Sequence, residues 1–394
     1  MKKLLIIGAG FLQSFVVKKS RSIGYQTLAV DGNPNAVGFN YADKHAVIDI
    51  TDKRACLEYA KNEKVDGVLT AATDYGVLTT SYIAQRMGLP GLNYKVAQII
   101  KNKYQTRKCL FENNADDTEQ VYEVNKDTDV EQLAEKLNYP VMVKPCDGSG
   151  SRGTSRVNSK KELKKACRFA INSSITNCAL IETFIVGKEY GAEAFVINGE
   201  PFVLAILQKW ITNPPYYAEL GHAIPNDLKP EVETHAKECV RNAIKVLGID
   251  FGAVNMDMII TPGGKVHIID IGVRMGGNLI GSHIIPAGTG IDYMSAVICN
   301  AIGDKRELTI KENAAVVTRL LAFGGGTIKH LPDFEEIQKN NNVEIYHHLK
   351  MGDVVNEYHT NLDGCGYIVA IDKDRDVALK NAELALIQVE KMIF

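Results

Sequence analysis

Asn255-Met-Asp257-Met-Ile-Ile260, a turn at Pro262-Gly263-Gly264, then Val266-His-Ile-Ile-Asp270-Ile-Gly-Val-Arg274-Met-Gly-Gly-Asn278 is the stretch that decides the fold. Its two apolar runs predict neighbouring strands at Ala253–Ile260 and Lys265–Ile271, each carrying one aspartate. A carboxylate in an apolar strand is costly unless it is paired or holds a metal. Two aspartates facing phosphate oxygens are the hard donor set that Mg²⁺ prefers. Arg274 follows at a spacing that places it either beside a transferring phosphoryl group or in a structural salt bridge with Asp270.

Upstream, Val141-Met-Val-Lys144-Pro reads as a strand ending in a lysine, followed by Asp147-Gly148-Ser149-Gly150-Ser151-Arg-Gly153. This is no P-loop, because no Gly-Lys-Ser/Thr follows. Glycine and serine let backbone N–H groups approach phosphate, or leave an ordinary flexible loop. Ile181-Glu182-Thr-Phe-Ile185-Val-Gly-Lys-Glu189 ends a strand Ala179–Phe184. That pattern suits a hinge whose backbone meets an adenine edge while Glu189 accepts from ribose, or a solvated turn. The Asn198-Gly199 step between Tyr190–Ile197 and Pro201–Gln208 predicts a hairpin.

The N-terminal hundred residues alternate short β-branched runs with helical segments, as a parallel, doubly wound sheet requires. Strands are expected at Leu4–Ile7, Thr27–Val30, His45–Ile48 and Gly67–Thr70, with helices at Phe11–Ile23 and Arg54–Asn62. Gly8-x-Gly10-x-x-Gln13, with Asp31 ending the second strand, half-matches the dinucleotide fingerprint. Gln13 in place of the third glycine weakens that match, and two glycines also serve a plain tight turn. Beyond Ala314, strands at Val316–Ala322, Val343–His347 and Gly366–Asp372 precede a helix at Arg375–Ile393.

Composition sets the class. The 394 residues exceed one ordinary domain, and 45% apolar with 23% charged residues is globular rather than disordered. Forty-five Lys and Arg against 47 Asp and Glu remove any whole-chain case for nucleic acid. Eight cysteines without a C-x-x-C pair indicate neither a zinc ribbon nor a disulfide framework, and fit reduced thiols in a cytoplasmic protein. The uncharged stretch Met275–Ile291 carries three glycines and an Asn in its first seven residues, and Pro286, which argues against a membrane helix.

In this order the motifs resemble the ATP-grasp superfamily, particularly its carboxylate–amine ligases, over nearly the whole chain. The resemblance implies a multidomain α/β and α+β fold: a parallel pre-ATP-grasp domain at 1–100, an ATP-grasp core at 101–305 with a lid-bearing subdomain at 113–188, and a small α+β domain at 306–394. It assigns Lys103 and Lys144 to ATP phosphates, and Gly148, Ser149, Gly150, Ser151 and Gly153 to the lid. Glu182 and Ile185 fall on the adenine hinge, Glu189 on the ribose carboxylate, Asp257 and Asp270 on the metal positions, and Arg274 on the arginine after them. The implied cofactors are ATP and Mg²⁺, with Mn²⁺ as an alternative. Two departures stand out: the second metal carboxylate is commonly Glu, and Gly272 occupies a position commonly held by an Asn metal ligand.

The implied chemistry is formation of an acyl phosphate, then attack by an amine, with Lys144 and Arg274 stabilising charge. The partners are small-molecule carboxylate and amine substrates, and a homodimer is common among similar proteins. Lys209-Trp210 and Glu219–Pro225 read as a loop-rich insert over the substrate. His222 there either meets the amine or bonds its own loop. Asp74, Lys209 and the backbone of Gly276, Gly277 and Asn278 are further substrate candidates. An amino-acid-like substrate is favoured over a phosphoribosyl one, because 1–100 carries no clear basic cluster. An NAD-dependent oxidoreductase using Gly8, Gly10 and Asp31, and a nucleotide-binding module without turnover, are the readings from other classes.

Overall fold

The computed structural model describes residues 1–147, 153–213, 216–304, 306, 308 and 313–393. The lid residues Gly148, Ser149, Gly150 and Ser151 lie outside that set.

Strands β1 (Lys3–Ile7), β2 (Gln26–Asp31), β3 (Lys44–Val47) and β4 (Gly67–Thr70) form a parallel sheet in the order β3-β2-β1-β4. β1, β2 and β4 are nearly continuous buried runs without alternation. That is the pattern of strands covered on both faces, here by helices Phe11–Ser22, Lys53–Glu63 and Val77–Met87. Gln13, the apparent defect of the glycine turn, closes it instead. Its Nε2 donates to the Ala71 carbonyl at 2.8 Å, and a Cβ on Gly10 would sit 2.9 Å from its Oε1.

A second, antiparallel sheet holds β5 (Val121–Asn125), β6 (Val141–Pro145), β7 (Ser155–Val157) and β8 (Cys178–Thr183) in the order β5-β8-β6-β7. Helix Lys160–Ser173 packs on it through Leu163, Ala166, Cys167 and Ala170, one stripe at helical spacing.

The largest sheet runs through β9 (Lys188–Ile197), β10 (Glu200–Ile211), β11 (Glu219–Ile224), β12 (Gly252–Ile260), β13 (Val266–Gly272) and β14 (Ala315–Leu320). β15 (Gly324–Thr327) and β17 (Val354–Glu357) pair separately, while β16 (Val343–His347) and β18 (Gly366–Asp372) complete the order β13-β12-β9-β10-β11-β14-β18-β16. The β9–β10 hairpin turns at Asn198 and Gly199, both at positive φ, as the Asn-Gly step predicts.

Two elements depart from the sequence reading. Glu219–Ile224 is not an insert loop but strand β11, paired with β10 on one side and β14 on the other. Gly221 made it look irregular; a Cβ there would strike the Thr318 carbonyl of β14, so the glycine permits close strand contact. Helix Pro230–Val246 was not anticipated. Pro230 opens it, Glu231 and Glu233 occupy its first turn, and Ala236, Cys239, Val240, Ala243 and Ile244 form its buried stripe.

An isolated backbone bridge links the parallel sheet to the large one. Ala71, just past β4, bridges Met275, just past β13, and the Ala72 N–H donates to the Met275 carbonyl at 3.0 Å.

Candidate active site

β12 and β13 run antiparallel with Asp257 directly opposite Asp270, so the two carboxylates share one end of the sheet. Each faces a lysine. Lys103, at the start of helix Lys103–Glu112, places Nζ 2.9 Å from Asp270 Oδ1. Burial works against that ammonium, but Asp270 outweighs it and holds its pKa up; reciprocally the Asp270 carboxyl, half-exposed though partly desolvated by its neighbours, is held down to about 2 by Lys103.

Lys209, on β10, is the more enclosed cation. Its Nζ lies 2.8 Å from Asp257 Oδ1, 2.9 Å from Glu219 Oε1 and 3.4 Å from Glu189 Oε2, with the side chain 2% exposed. Burial opposes its charge, yet the three carboxylates raise its pKa well above the ordinary value. They are left unequal. Burial, only partly offset by Lys209, pushes Asp257 and Glu189 up, whereas Lys209 and His222 overcome burial at Glu219 and bring it down to about 2.

Lys144 ends β6 and meets Glu182 of β8 at 2.5 Å, across the ladder that pairs these strands. Arg107 approaches the other Glu182 oxygen, Nε to Oε2 2.9 Å. Burial, aided by Arg107 and Lys103, lowers the Lys144 pKa against the pull of Glu182. Glu182 stays low because Lys144 and Arg107 outweigh its burial. Arg107 was not singled out from sequence. Its one signal is its place four residues after Lys103, on the same helix face. Glu182, Thr183 and Ile185 line a small pocket with Arg107, Thr118, Glu119, His267 and Ile269.

Arg274 does not pair with Asp270. It reaches across the seam to Asp74, Nε to Oδ1 3.0 Å and Nη2 to Oδ2 3.2 Å, and Nη1 donates to Asn255 Oδ1 at 3.2 Å. The departure at Gly272 has a local cause: a Cβ there would lie 2.9 Å from Asp74 Oδ1 and 3.0 Å from Arg274 Cζ. A side chain at 272 and this fork compete for the same space.

Beneath Arg274 lies Glu193, fully buried on β9 and also absent from the sequence reading. It accepts from the Gly276 N–H at 2.9 Å, Tyr293 Oη at 2.7 Å and Asn255 Nδ2 at 3.0 Å. Burial pushes its carboxyl up to about 7 against those three donors. The Gly276 N–H therefore points inward, contrary to its expected use as a carboxylate donor.

His222 lies in β11 with its ring fully buried, 3.5 Å from Glu219 Oε2, and neither ring nitrogen has a hydrogen-bond partner among the described residues. Burial drives its pKa down to about 4, so the ring is neutral at pH 7. Asn278 is also engaged: Nδ2 donates to Glu219 and Oδ1 accepts from Tyr367 Oη. Gly277 lies near Leu12 and Ala72, at the seam. Trp210 packs under the Arg319 guanidinium, 3.7 Å from the ring centroid. Gly153 takes a positive φ of 76° against Pro145 and Ser173. Asp31, at the other nucleotide-like motif, spends both oxygens on its own loop, accepting from the N–H groups of Ala9 and Asn33 at 2.8 Å each.

The two aspartates fit a hard divalent cation. Both are oxygen donors on facing strand positions, and burial makes the Asp257 charge unfavourable without positive neighbours. Among the described residues no helix is long and apolar enough to cross a membrane.

Residues 137–282 match the family model of the ATP-grasp domain, and residues 319–391 match that of the L-amino acid ligase C-terminal domain 2. Carnosine synthase 1 of Homo sapiens is 23% identical over 342 residues, which cover 79% of this chain and 41% of that protein. The chain thus spans about two fifths of that relative's length. Phosphoribosylglycinamide synthetase from Anaerococcus prevotii superposes with a TM-score of 0.83 at 25% identity, over 100% of this chain and 99% of that one. The L-amino acid ligase from Bacillus licheniformis superposes with a TM-score of 0.83 at 23% identity, over 99% and 98%. The chain carries an ATP-grasp domain followed by a C-terminal domain of the L-amino acid ligase type.

Proposed function

We propose that this protein is an ATP-dependent carboxylate–amine ligase that joins small amino-acid-like substrates and releases ADP and phosphate. The observation that carries the reading is the pairing of Lys103 with Asp270 and of Lys209 with the facing Asp257, with Lys144 seated on Glu182 and Arg274 on Asp74. Each of these cations is held by a carboxylate, so a nucleotide triphosphate with its metal would meet positive groups already gathered and oriented. The pairing of an ATP-grasp domain with an L-amino acid ligase type C-terminal domain supports the same substrate class.

In this reading Asp257 and Asp270 would hold Mg²⁺, which would supply charge neutralisation and Lewis-acid polarisation of phosphate oxygens. The chain's own residues do the rest. Lys103 and Lys144 bind phosphate oxygens, and Glu189 accepts from the ribose. The substrate carboxylate attacks the γ-phosphorus and ADP leaves. Arg274, aimed by Asp74 and Asn255, stabilises the transferring group from the parallel-sheet side. The amine then attacks the acyl carbon, the C–O bond to phosphate breaks, and the departing phosphate carries off the amine's proton, while Glu219, held ionised beside Lys209, is placed to orient the amine.

The test is a phosphate-release screen with Mg²⁺-ATP against single amino acids, amino-acid pairs and phosphoribosylamine with glycine. Release on amino-acid pairs, with a ligated product by mass spectrometry, is the expected result. Release only with phosphoribosylamine would move the chain to the purine-type reaction named for its structural relative. ATP binding without release on any acceptor would leave a nucleotide-binding module.

A further inference from the structure

Away from this site, on the far face of helix Pro230–Val246, three side chains of different chemistry converge. His235 and Cys239 stand one helical turn apart on the same face, the i, i+4 spacing by which a helix presents two ligands to one ion. Asp117, in the loop before β5, completes the group. His235 Nε2 is 2.8 Å from Asp117 Oδ2, and Cys239 Sγ is 3.8 Å from Nε2 and 3.9 Å from Nδ1 of the same ring. The oxygen, nitrogen and sulfur donors all lie within 4.8 Å of one another.

We propose that Asp117, His235 and Cys239 form a binding site for a zinc-class divalent cation, with water as fourth ligand. Tetrahedral zinc sets its nitrogen and oxygen ligands about 3.4 Å apart and its nitrogen and sulfur ligands about 3.6 Å apart. The Asp117–His235 contact therefore opens by roughly half an ångström and the Cys239 contact closes by a few tenths, movements within side-chain reach.

The surroundings favour a cation. Asp117 is already oriented, because its carboxylate accepts from the Val266 N–H at 2.7 Å, and the adjoining Asp116 accepts from the Ile268 N–H at 2.8 Å. Such fixed outer contacts are what aim ligands at a metal. Asp116 and Glu238 add negative charge around the thiol. The His235 and Asp117 side chains are 42% and 31% exposed, which leaves an entry path and room for water, while Cys239 is buried behind them. The mixed donor set selects a borderline cation such as Zn²⁺ over Mg²⁺. Thr118 and Glu119, next in the chain, line the pocket beside Glu182. The cation thus clips helix Pro230–Val246 to the loop that forms one wall of that pocket.

The full chain titrated with Co²⁺ should gain, at one equivalent, the absorption of a tetrahedral thiolate complex, and Zn²⁺ should displace it. Cys239→Ser should abolish the thiolate-to-cobalt band, and His235→Ala should lower zinc affinity at least about 10²-fold. Both should keep the wild-type Tm without metal, and lose the rise in Tm that Zn²⁺ gives the wild type. A second group, Glu123, Cys146 and Cys178, also gathers thiols and a carboxylate; absence of the band, its survival in Cys239→Ser, or its loss in Cys146→Ser instead would overturn the proposal.

Discussion

Asp74 grips Arg274 with both carboxylate oxygens, across 200 residues of sequence and the seam between two sheets. Asp74 belongs to the loop after a parallel strand, Arg274 to the loop after β13, and their side chains meet where Ala71 bridges Met275. A bidentate pair fixes orientation as well as distance. Asp74→Ala should therefore lower acceptor-dependent phosphate release about 10²-fold through a misplaced guanidinium, with ATP affinity nearly unchanged. Equal losses in both would show that Asp74 only supports the fold.

Gly272→Asn tests whether the missing amide is a defect. An Asn placed there meets Asp74 and Arg274, so activity should fall rather than rise. Steady-state phosphate release, compared with Gly272→Ala, reads the outcome; a gain in Mg²⁺ affinity with Asn alone would contradict it.

Lys144→Ala should reduce turnover at least about 10²-fold, the scale of losing one electrostatic donor. Lys144→Arg should not restore it, because the planar fork does not replace a compact ammonium already seated against Glu182. Near-wild-type ATP turnover in either variant would remove the lysine from the reaction.

Lys209→Met leaves Asp257, Glu219 and Glu189 facing one another without their shared cation. Removing one partner of a buried charged group costs about 3–5 kcal/mol. Urea unfolding should show a loss on that scale, partly recovered in millimolar Mg²⁺ or Mn²⁺. No recovery with either ion would separate these carboxylates from the proposed metal.

Glu193 carries a pH signature. Burial raises its pKa from 4.5 to about 7, so between these values the folded chain holds a proton that the unfolded chain has released. Its contribution to stability is full below pH 4.5 and declines as pH rises to about 7, at up to about 1.4 kcal/mol per unit. Glu193→Gln lacks this slope. The stability of wild type relative to the variant should fall across that window in paired denaturant titrations. A flat difference would mean that the three donors already hold the carboxylate ionised.

Much of the site was legible because its residues sit on strand ends, where chain order and spacing survive folding. Lys144, Glu182, Asp257 and Asp270 are close in space for the same reason they are readable in sequence: each ends or interrupts an apolar run. Arg107, Glu193 and the Arg274–Asp74 fork were not read, since each depends on a partner that only the packing of sheets supplies. Helix Pro230–Val246, which carries Cys239, went unread although it has a proline start and a helical stripe. β11 was hidden by Gly221, whose purpose is visible only once Thr318 lies against it.

That last contact has a practical consequence. Because β11 carries Glu219 and His222 on one side and hydrogen-bonds β14 on the other, with Ala223 opposite Val317, the C-terminal strands hold the site's backbone in register. Shortening the chain before residue 315 would bare a strand edge beside Glu219 and His222, inviting aggregation. Exchanging this segment between relatives to change selectivity would have to preserve the Ala223–Val317 pairing. The graft junction belongs after residue 320, at the end of the shared strand.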